Sequence, residues 1–219
     1  MLKIGITTRV STAPPHGECR DQISVDWQHY LSCTFPHSII IPIPNHLTAP
    51  SEWASALHLD AVILSNGNDC GSCPQRDLTE TELVNWAITN KLPLLGVCRG
   101  FQFLNLFFGG TLLPDLRTYT NLPHAGATHE ITISPTFQHL FLQHNYDLIV
   151  NSYHNMGISQ NELSPSLFPF AVTPDHLVEG FYHPTLPVMG IQWHPERSDS
   201  FPPFTTKIIQ SFISNGIFW

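Results

Sequence analysis

Short aliphatic runs alternate with amphipathic segments along the first half of the chain. Strand-like runs occupy residues 2–8, 38–43, 61–65 and 93–97. Between them, the apolar positions of 23–30 and 83–88 recur every three or four residues, which predicts helices. Residues 79–82, Thr-Glu-Thr-Glu, have the pattern of a capping box, so we expect the second helix to begin there. This alternation predicts βα units around a parallel sheet.

The second half of the chain has a different pattern, because its strand-like runs follow one another closely. These runs occupy residues 129–134, 147–151, 170–173, 178–183 and 188–193. Consecutive strands without crossover helices predict an antiparallel or mixed portion of the sheet. A last amphipathic helix is predicted over 204–213. At 219 residues, the chain is expected to form a single α/β domain over 1–219.

One cysteine lies at a predicted strand-to-helix junction. The strand ends at Val97, Cys98 follows between Gly96 and Gly100, and an amphipathic segment begins at Phe101. A residue on so tight a turn is exposed at the end of the strand, and the glycines leave room for the sharp backbone path. N–H groups at a helix N-terminus favour the nucleophilic thiolate. Cys98 is therefore either an activated nucleophile or a buried structural cysteine.

A histidine and a glutamate end another buried strand-like run. Residues 188–193 lead into His194, Pro195 and Glu196. In extended backbone, residues two apart lie on one side, and Pro195 fixes the bend, so Glu196 can orient the imidazole of His194. A thiol, a base and a group that orients the base together form an activated nucleophile.

These two segments, 96–102 (GVCRGFQ) and 190–196 (GIQWHPE), resemble the signature blocks of the class I glutamine amidotransferases. Asn-Ser-Tyr-His at 151–154 makes the chain most similar to the γ-glutamyl-γ-aminobutyrate hydrolase branch. Further matching segments, in the expected order, lie at 65–69, 76–77 and 178–181. The resemblance implies a flavodoxin-like three-layer sandwich with a mostly parallel central sheet and a smaller antiparallel portion.

The resemblance also implies the role of each site residue. It makes Cys98 the nucleophile, His194 the general base and acid, and Glu196 the partner of His194. The residues implied to bind the glutamyl group are Gln102, Ser152, Tyr153 and His154, the last three mainly through their backbone. A helix-surface glutamine is the alternative for Gln102. The sequence His-Asn-Met at 154–156 departs from the His-x-Gln common in relatives.

Two backbone N–H groups are expected to stabilise the oxyanion of an acyl-transfer site. The residue after the nucleophile supplies one, which assigns the N–H of Arg99. The second is expected at Gly67, in a turn where relatives usually carry Gly-Gly and this chain has Asn66 first. Asn66 tolerates the left-handed backbone region, so we expect the turn to survive, although an ordinary Asn-Gly turn has the same sequence.

Charge and composition exclude several classes of function. A formal net charge of −8 with nine Lys and Arg residues does not provide the clustered cations of a nucleic-acid surface. No apolar run approaches the roughly 18 to 20 residues of a membrane span, and no signal-peptide pattern opens the chain. Five cysteines, an odd and irregular set, are typical of a reducing compartment. We therefore expect a soluble, cytoplasmic protein without nucleic-acid or membrane partners.

Cys70 and Cys73 form a Cys-x-x-Cys pair. It is a candidate redox pair or half of a zinc site, but a closed zinc site needs two more ligands and the chain has no second pair. Pro74 and Gln75 are expected to break the segment, so that no thioredoxin-type helix follows. We interpret the pair as incidental thiols in a loop, and we expect no metal and no organic cofactor. Arg20 and Arg117 are either ligands of a substrate carboxylate or solvated surface residues.

The predicted reaction is cysteine-dependent hydrolysis of a small-molecule γ-glutamyl amide through a glutamyl thioester. A free-standing hydrolase of a γ-glutamyl conjugate is favoured. Two alternatives share its chemistry: a glutaminase subunit that delivers ammonia to a synthetase partner, and a hydrolase of a γ-glutamyl nucleotide amidate in surface-polysaccharide synthesis. A non-catalytic binding module predicts loss of Cys98, His194 or Glu196, and all three are present.

Overall fold

The computed structural model describes residues 1–138, 147–197, 202–217 and 219. Its strands are β1 (Lys3–Thr7), β2 (Arg9–Ala13), β3 (Glu18–Gln22), β4 (Ile39–Ile43), β5 (Ala61–Leu64), β6 (Leu94–Val97), β7 (Ala125–Ile133), β8 (Asp147–Tyr153), β9 (Phe168–Val172), β10 (Val178–Tyr182) and β11 (Val188–Ile191). Its helices are α1 (Val25–Thr34), α2 (Pro50–Ala56), α3 (Pro74–Thr89), α4 (Arg99–Phe107), α5 (Pro135–Gln138) and α6 (Pro203–Asn215).

The main sheet has a parallel part and an antiparallel part. The parallel part contains β4, β1, β5, β6 and β11, in that order across the sheet. The antiparallel part contains β10, β9, β7 and β8, and it continues the same sheet from β11. The predicted α/β fold, a parallel central sheet extended by an antiparallel portion, is confirmed.

Helices cover both faces of the parallel part, because alternate side chains along each strand point to opposite faces. Ile4 and Ile63 pack with α1 and α6, whereas Val62 and Leu64 pack with α2, α3 and α4. Each such buried aliphatic side chain contributes roughly 1.5–3 kcal/mol to folding. The result is the expected three layers. None of the helices in the described ranges is both long enough and apolar enough to cross a membrane.

The prediction for the segment around Pro74 is wrong. Helix α3 begins at Pro74, directly after Cys73, so Thr79 and Glu82, the two ends of the predicted capping box, lie inside the helix and do not cap it. Proline is favoured at the first helical position, because the N–H that it lacks would have no partner in the helix there. Both Thr79 and Glu80 are buried and bond to residues outside the helix, which explains the polar pattern.

The sequence patterns predict neither helix α2 nor the hairpin of β2 and β3. Every residue of β3 is exposed, so the alternation of apolar and polar positions that marks a strand is missing there. The prolines at positions 14 and 15 lie in the turn of this hairpin, as expected of residues in a connection.

Neighbouring strands of the parallel part end at one edge, which brings distant segments together. Register pairs Val97 at the end of β6 with Ile191 at the end of β11. Cys98 follows the first strand directly, and His194 lies three residues after the second. Ligands of open α/β sheets bind beyond the carboxyl ends of the strands. This edge is therefore where the candidate site forms.

Candidate active site

Cys98 has the strained backbone that a strand-to-helix elbow requires. Its φ is +52° and its ψ is −101°, a conformation that residues other than glycine rarely adopt. Its N–H donates to the carbonyl of Ile191 at 2.9 Å. A Cβ on Gly96 would lie 2.5 Å from the carbonyl oxygen of Gly100, and one on Gly100 only 2.1 Å from that of Leu64. The two glycines are therefore needed for helix α4 to approach the sheet.

The surroundings of Cys98 disfavour its thiolate. Burial, and after it the negative charge of Glu196, raises the pKa of Cys98 to about 12, whereas Arg197 and the N–H of Arg99 oppose the shift. The N–H of Arg99 at the helix N-terminus favours the thiolate, as expected, but burial of the sulfur outweighs it. Nucleophilic attack by this sulfur needs a base.

His194 is held by two residues. Its Nδ1 lies 2.8 Å from Oε1 of Glu196, so Nδ1–H donates to the carboxylate and Nε2 is left with a lone pair. The side-chain amide of Asn151 accepts from the N–H of His194 and donates to its carbonyl, both at 2.8 Å. Within the described ranges, Nε2 has no hydrogen-bond partner. These contacts fix the tautomer and the position of the imidazole, and the contacts of Asn151 are ones that sequence analysis missed.

The side chain of Asn66 also reaches this pair. Its Nδ2 lies 3.2 Å from Oε1 of Glu196. The indole N–H of Trp27 donates to Oδ1 of Asn66 at 3.0 Å, which fixes the orientation of the amide. Sequence analysis considered only the backbone at this position. The structure gives the side chain of Asn66 a second role, as a donor to the partner of His194.

The turn predicted to supply an oxyanion N–H is held by a buried arginine. Arg76 donates to the carbonyls of Ser65 at 2.7 Å and of Asn66 and Gly67 at 3.1 Å each. The left-handed residues of the turn are Gly67, with φ +87°, and Asn68, with φ +29°, so the expectation of a left-handed Asn66 is wrong. The N–H of Gly67 has no acceptor among residues that the structure describes.

Two buried arginines and two carboxylates join α3, α4 and this turn. Nε of Arg76 lies 2.9 Å from Glu80, and Arg99 pairs with both Asp77 and Glu80. Burial lowers the pKa of Arg76 and of Arg99 to about 10, so both remain charged at neutral pH. The guanidinium of Arg99 also lies 4.7 Å from the centre of the Phe103 ring. Because its side chain is occupied in this way, Arg99 offers the site its N–H.

Cys98 and His194 both line a cleft of about 600 Å³. One wall is the turn 66–69, and the other is the segment 153–156 after β8. The predicted oxyanion residues Gly67 and Arg99 line it as well. The side chains implied to carry the chemistry come from two segments far apart in the sequence. They meet at one cleft that is large enough for a small molecule.

The residues predicted to bind substrate divide into two groups. Gln102, Tyr153 and His154 line the cleft. Ser152 does not line it, because its buried hydroxyl donates to the carbonyl of His124 behind the wall. Gln102 is buried and not a helix-surface residue, and its amide donates to the carbonyl of Met156 at 3.0 Å. Gln102 thus joins α4 to the opposite wall.

The arginine suited to a carboxylate ligand is one that sequence analysis did not select. Arg20 and Arg117 form exposed ion pairs with Glu18 and Asp115 and do not line the cleft. Arg197 lines it, with its guanidinium 4.8 Å from the centre of the Tyr153 ring. The sequence could have indicated Arg197 through its position directly after Glu196.

Comparison with known proteins agrees with this geometry. A family model described as Peptidase C26 matches residues 4–196. The chain belongs to the Peptidase C26 family. This confirms the resemblance to the class I glutamine amidotransferases, and membership supports a hydrolase with γ-glutamyl hydrolase or glutamine amidotransferase-like activity.

Two relatives match over 90% of this chain and 90% of their own length. The γ-glutamyl-CDP-amidate hydrolase of Campylobacter jejuni is 30% identical over 203 residues. The γ-glutamyl-γ-aminobutyrate hydrolase PuuD of Escherichia coli K12 is 28% identical over 232 residues. The glutaminase domain of Trypanosoma brucei CTPS, solved with bound acivicin, superposes with a TM-score of 0.72 at 14% identity, covering 100% of this chain and 96% of that chain. This last likeness shows the fold.

Proposed function

We propose that this chain, as one domain, is a free-standing amidase that hydrolyses the γ-glutamyl amide bond of a γ-glutamyl conjugate. The observation that carries the proposal is that Cys98 and His194 line one cleft, with Glu196 bonded to the imidazole at 2.8 Å. The names of the two hydrolase relatives support the substrate class. The products are glutamate and an amine.

In the first half of the reaction, His194 activates Cys98. Nε2 takes the thiol proton as the sulfur attacks the γ-carbonyl carbon, because a thiol with so high a pKa supplies little thiolate beforehand. Glu196 stabilises the resulting imidazolium through Nδ1–H. The N–H groups of Gly67 and Arg99 bind the oxyanion of the tetrahedral intermediate.

In the second half, the amine leaves first, and the glutamyl group is released from Cys98 afterwards. The imidazolium of His194 protonates the departing amine, the C–N bond breaks, and a glutamyl thioester remains on Cys98. Water attacks the thioester while His194 accepts its proton. The C–S bond then breaks, glutamate is released, and the imidazolium of His194 returns the proton to the sulfur of Cys98. These side chains handle every proton and electron pair, so we propose no cofactor for this chemistry.

The cleft also offers groups for the glutamyl end of a substrate. Arg197 and Asp69 both line it, and they suit the α-carboxylate and the α-ammonium of that end. Gln102, Tyr153 and His154 complete its lining. Ser152 supports this wall from behind, through the carbonyl of His124.

Glutamate release from a panel of substrates tests the proposal. The full chain is given γ-glutamyl-γ-aminobutyrate, a γ-glutamyl nucleotide amidate and glutamine. We expect kcat/KM to be highest for one of the two conjugates and Cys98→Ala to abolish release, whereas Cys33→Ala, which changes an exposed thiol, keeps it. Residual turnover in Cys98→Ala would refute the mechanism. Cleavage of glutamine alone would favour the subunit with a synthetase partner.

A cytoplasmic location is also part of the proposal. All five cysteines are free thiols, as is usual where the cell keeps thiols reduced. Cell fractionation with an antibody against the chain tests it, and recovery from an extracellular fraction would contradict it.

A further inference from the structure

A second group of ionisable side chains lies behind the cleft wall. His124 precedes β7, His129 lies within β7, His154 follows β8 and Glu179 lies on β10. One nitrogen or oxygen atom from each lies within 4.8 Å of the corresponding atom of every other. Glu179 is fully buried, and His124 and His154 are each 4% exposed. The group therefore draws on three strands of the antiparallel part, and His154 is the member that also lines the cleft.

The polar atoms of this group lack hydrogen-bond partners. Among the described residues, neither carboxylate oxygen of Glu179 has one, and the same is true of Nδ1 of His124, Nε2 of His154 and both ring nitrogens of His129. Buried polar atoms are normally hydrogen-bonded, and a buried carboxylate is normally paired with a cation. The arrangement therefore calls for a positively charged partner at its centre.

Contacts on the outer side fix two of the imidazoles with lone pairs directed inward. Nδ1 of His154 lies 2.9 Å from the carbonyl of Met156, so Nδ1 carries the hydrogen and Nε2 does not. Nε2 of His124 lies 3.1 Å from Asp175, so Nδ1 is the bare atom there. Histidine ligands of metals are oriented by the same kind of outer contact, to a carbonyl or a carboxylate.

The spacing of the inner atoms suits a tetrahedral ion. Oε1 of Glu179 lies 3.4 Å from Nε2 of His154 and 3.7 Å from Nε2 of His129, without hydrogen-bond geometry. Zinc–ligand bonds of 2.0–2.2 Å place tetrahedral ligands about 3.3 Å apart. A single proton in place of the ion would satisfy one pair of atoms and leave other lone pairs facing the carboxylate.

We propose that His124, His129, His154 and Glu179 bind one zinc ion through three imidazole nitrogens and one carboxylate oxygen. Four protein ligands make a closed, structural site, which ties β7 and β10 to the segment that forms the cleft wall. His154 lines the cleft as well, but none of the four ligands is a reacting group of the proposed amidase, and the zinc proposal does not depend on that reaction.

Metal analysis of the untagged full chain tests this site. We expect about one zinc per chain after purification, and visible absorption typical of tetrahedral cobalt when Co²⁺ replaces the zinc. His129→Asn is expected to lower the zinc content at least tenfold and to abolish the cobalt bands. His46→Ala, which changes an exposed histidine outside the group, is expected to keep both.

If His129→Asn does not fold, the wild-type protein is titrated with Zn²⁺ in competition with a chelator, and this measurement tests the site without the variant. Wild-type protein that contains no zinc and binds no added Zn²⁺ or Co²⁺ would overturn the proposal, as would equal zinc in folded His129→Asn. The Cys98→Ala variant is expected to keep its zinc. A failure of the zinc site is therefore distinguishable from a failure of the proposed amidase.

Discussion

The parallel part and the antiparallel part of the sheet solve the problem of buried polar groups in different ways. In the parallel part, strands β5, β6 and β11 are buried along their whole length, and the buried charges Arg76 and Glu80 are paired. In the antiparallel part, β7 alternates between exposed and buried positions, and the buried carboxylate of Glu179 has no hydrogen-bond partner among the described residues. The parallel part is thus a frame that pairs its own buried charges and carries Cys98 and His194, with Asn151 of β8 holding the backbone of His194. In the antiparallel part, by contrast, we propose a zinc ion as the partner of Glu179.

Replacing the proposed base should have the largest effect in this frame. His194→Gln is expected to lower kcat about 10³- to 10⁴-fold, because the thiol of Cys98 then loses its proton acceptor. Since the pKa of Cys98 is about 12, the residual rate should rise about tenfold per pH unit through the alkaline range. Steady-state glutamate release measures both effects. His46→Gln is the matched control, and a variant with more than a tenth of wild-type kcat would contradict the assignment.

Breaking the buried ion pair should destabilise the frame next most strongly. Arg76→Met removes one of the two arginines paired with the buried Glu80, together with three hydrogen bonds to the carbonyls of residues 65–67, so we expect a loss of about 3–5 kcal/mol in the free energy of unfolding. Arg20→Met breaks an exposed pair and is expected to lose less than about 1 kcal/mol. Urea denaturation measures both. Equal losses in the two variants would show that the frame does not depend on buried pairing.

A smaller effect is expected from the amide that contacts Glu196. Asn66→Ala removes that donor, and we expect kcat to fall about tenfold with KM nearly unchanged, the value of one lost hydrogen bond to a charged group. Trp27→Phe, which removes only the donor to Asn66, should produce a weaker fall in kcat. Steady-state glutamate release measures both variants, and a kcat within twofold of wild type in Asn66→Ala would show that this contact does not assist His194.

The smallest effect is expected outside the cleft. Arg117 is 85% exposed in its pair with Asp115, so Arg117→Ala should leave kcat and KM for the best γ-glutamyl substrate within about twofold of wild type. Kinetics with that substrate measure this. A tenfold rise in KM would show that Arg117 contributes to substrate binding and would contradict its place outside the cleft.

Sequence predicted the frame well because its signals are local. The elbow at Cys98 depends on glycines two residues to either side, and His194 depends on the end of a buried run. Each feature can be recognised from neighbouring residues within one short stretch of sequence. Helix α3 was predicted with the wrong start because Pro74 was interpreted as a break and not as a first helical residue.

The rest of the site depends on packing that no single window contains. The role of the Asn66 side chain depends on Trp27, which lies on helix α1, far from Asn66 in the sequence. The raised pKa of Cys98 reflects burial by the whole fold, which outweighs the local helix terminus. His124 and His129 lie near each other at β7, but His154 and Glu179 come from distant segments, so the spacing in the sequence resembles no metal motif.

The most direct test of the central claim is to trap the intermediate. The full chain is mixed with its best γ-glutamyl substrate, quenched in acid within the first turnover, digested and analysed by mass spectrometry. We predict that the peptide containing Cys98 gains the mass of one glutamyl group and that hydroxylamine removes it, as expected of a thioester. Glutamate release with the adduct on another residue, or with Cys98 unmodified throughout the first turnover, would contradict the account.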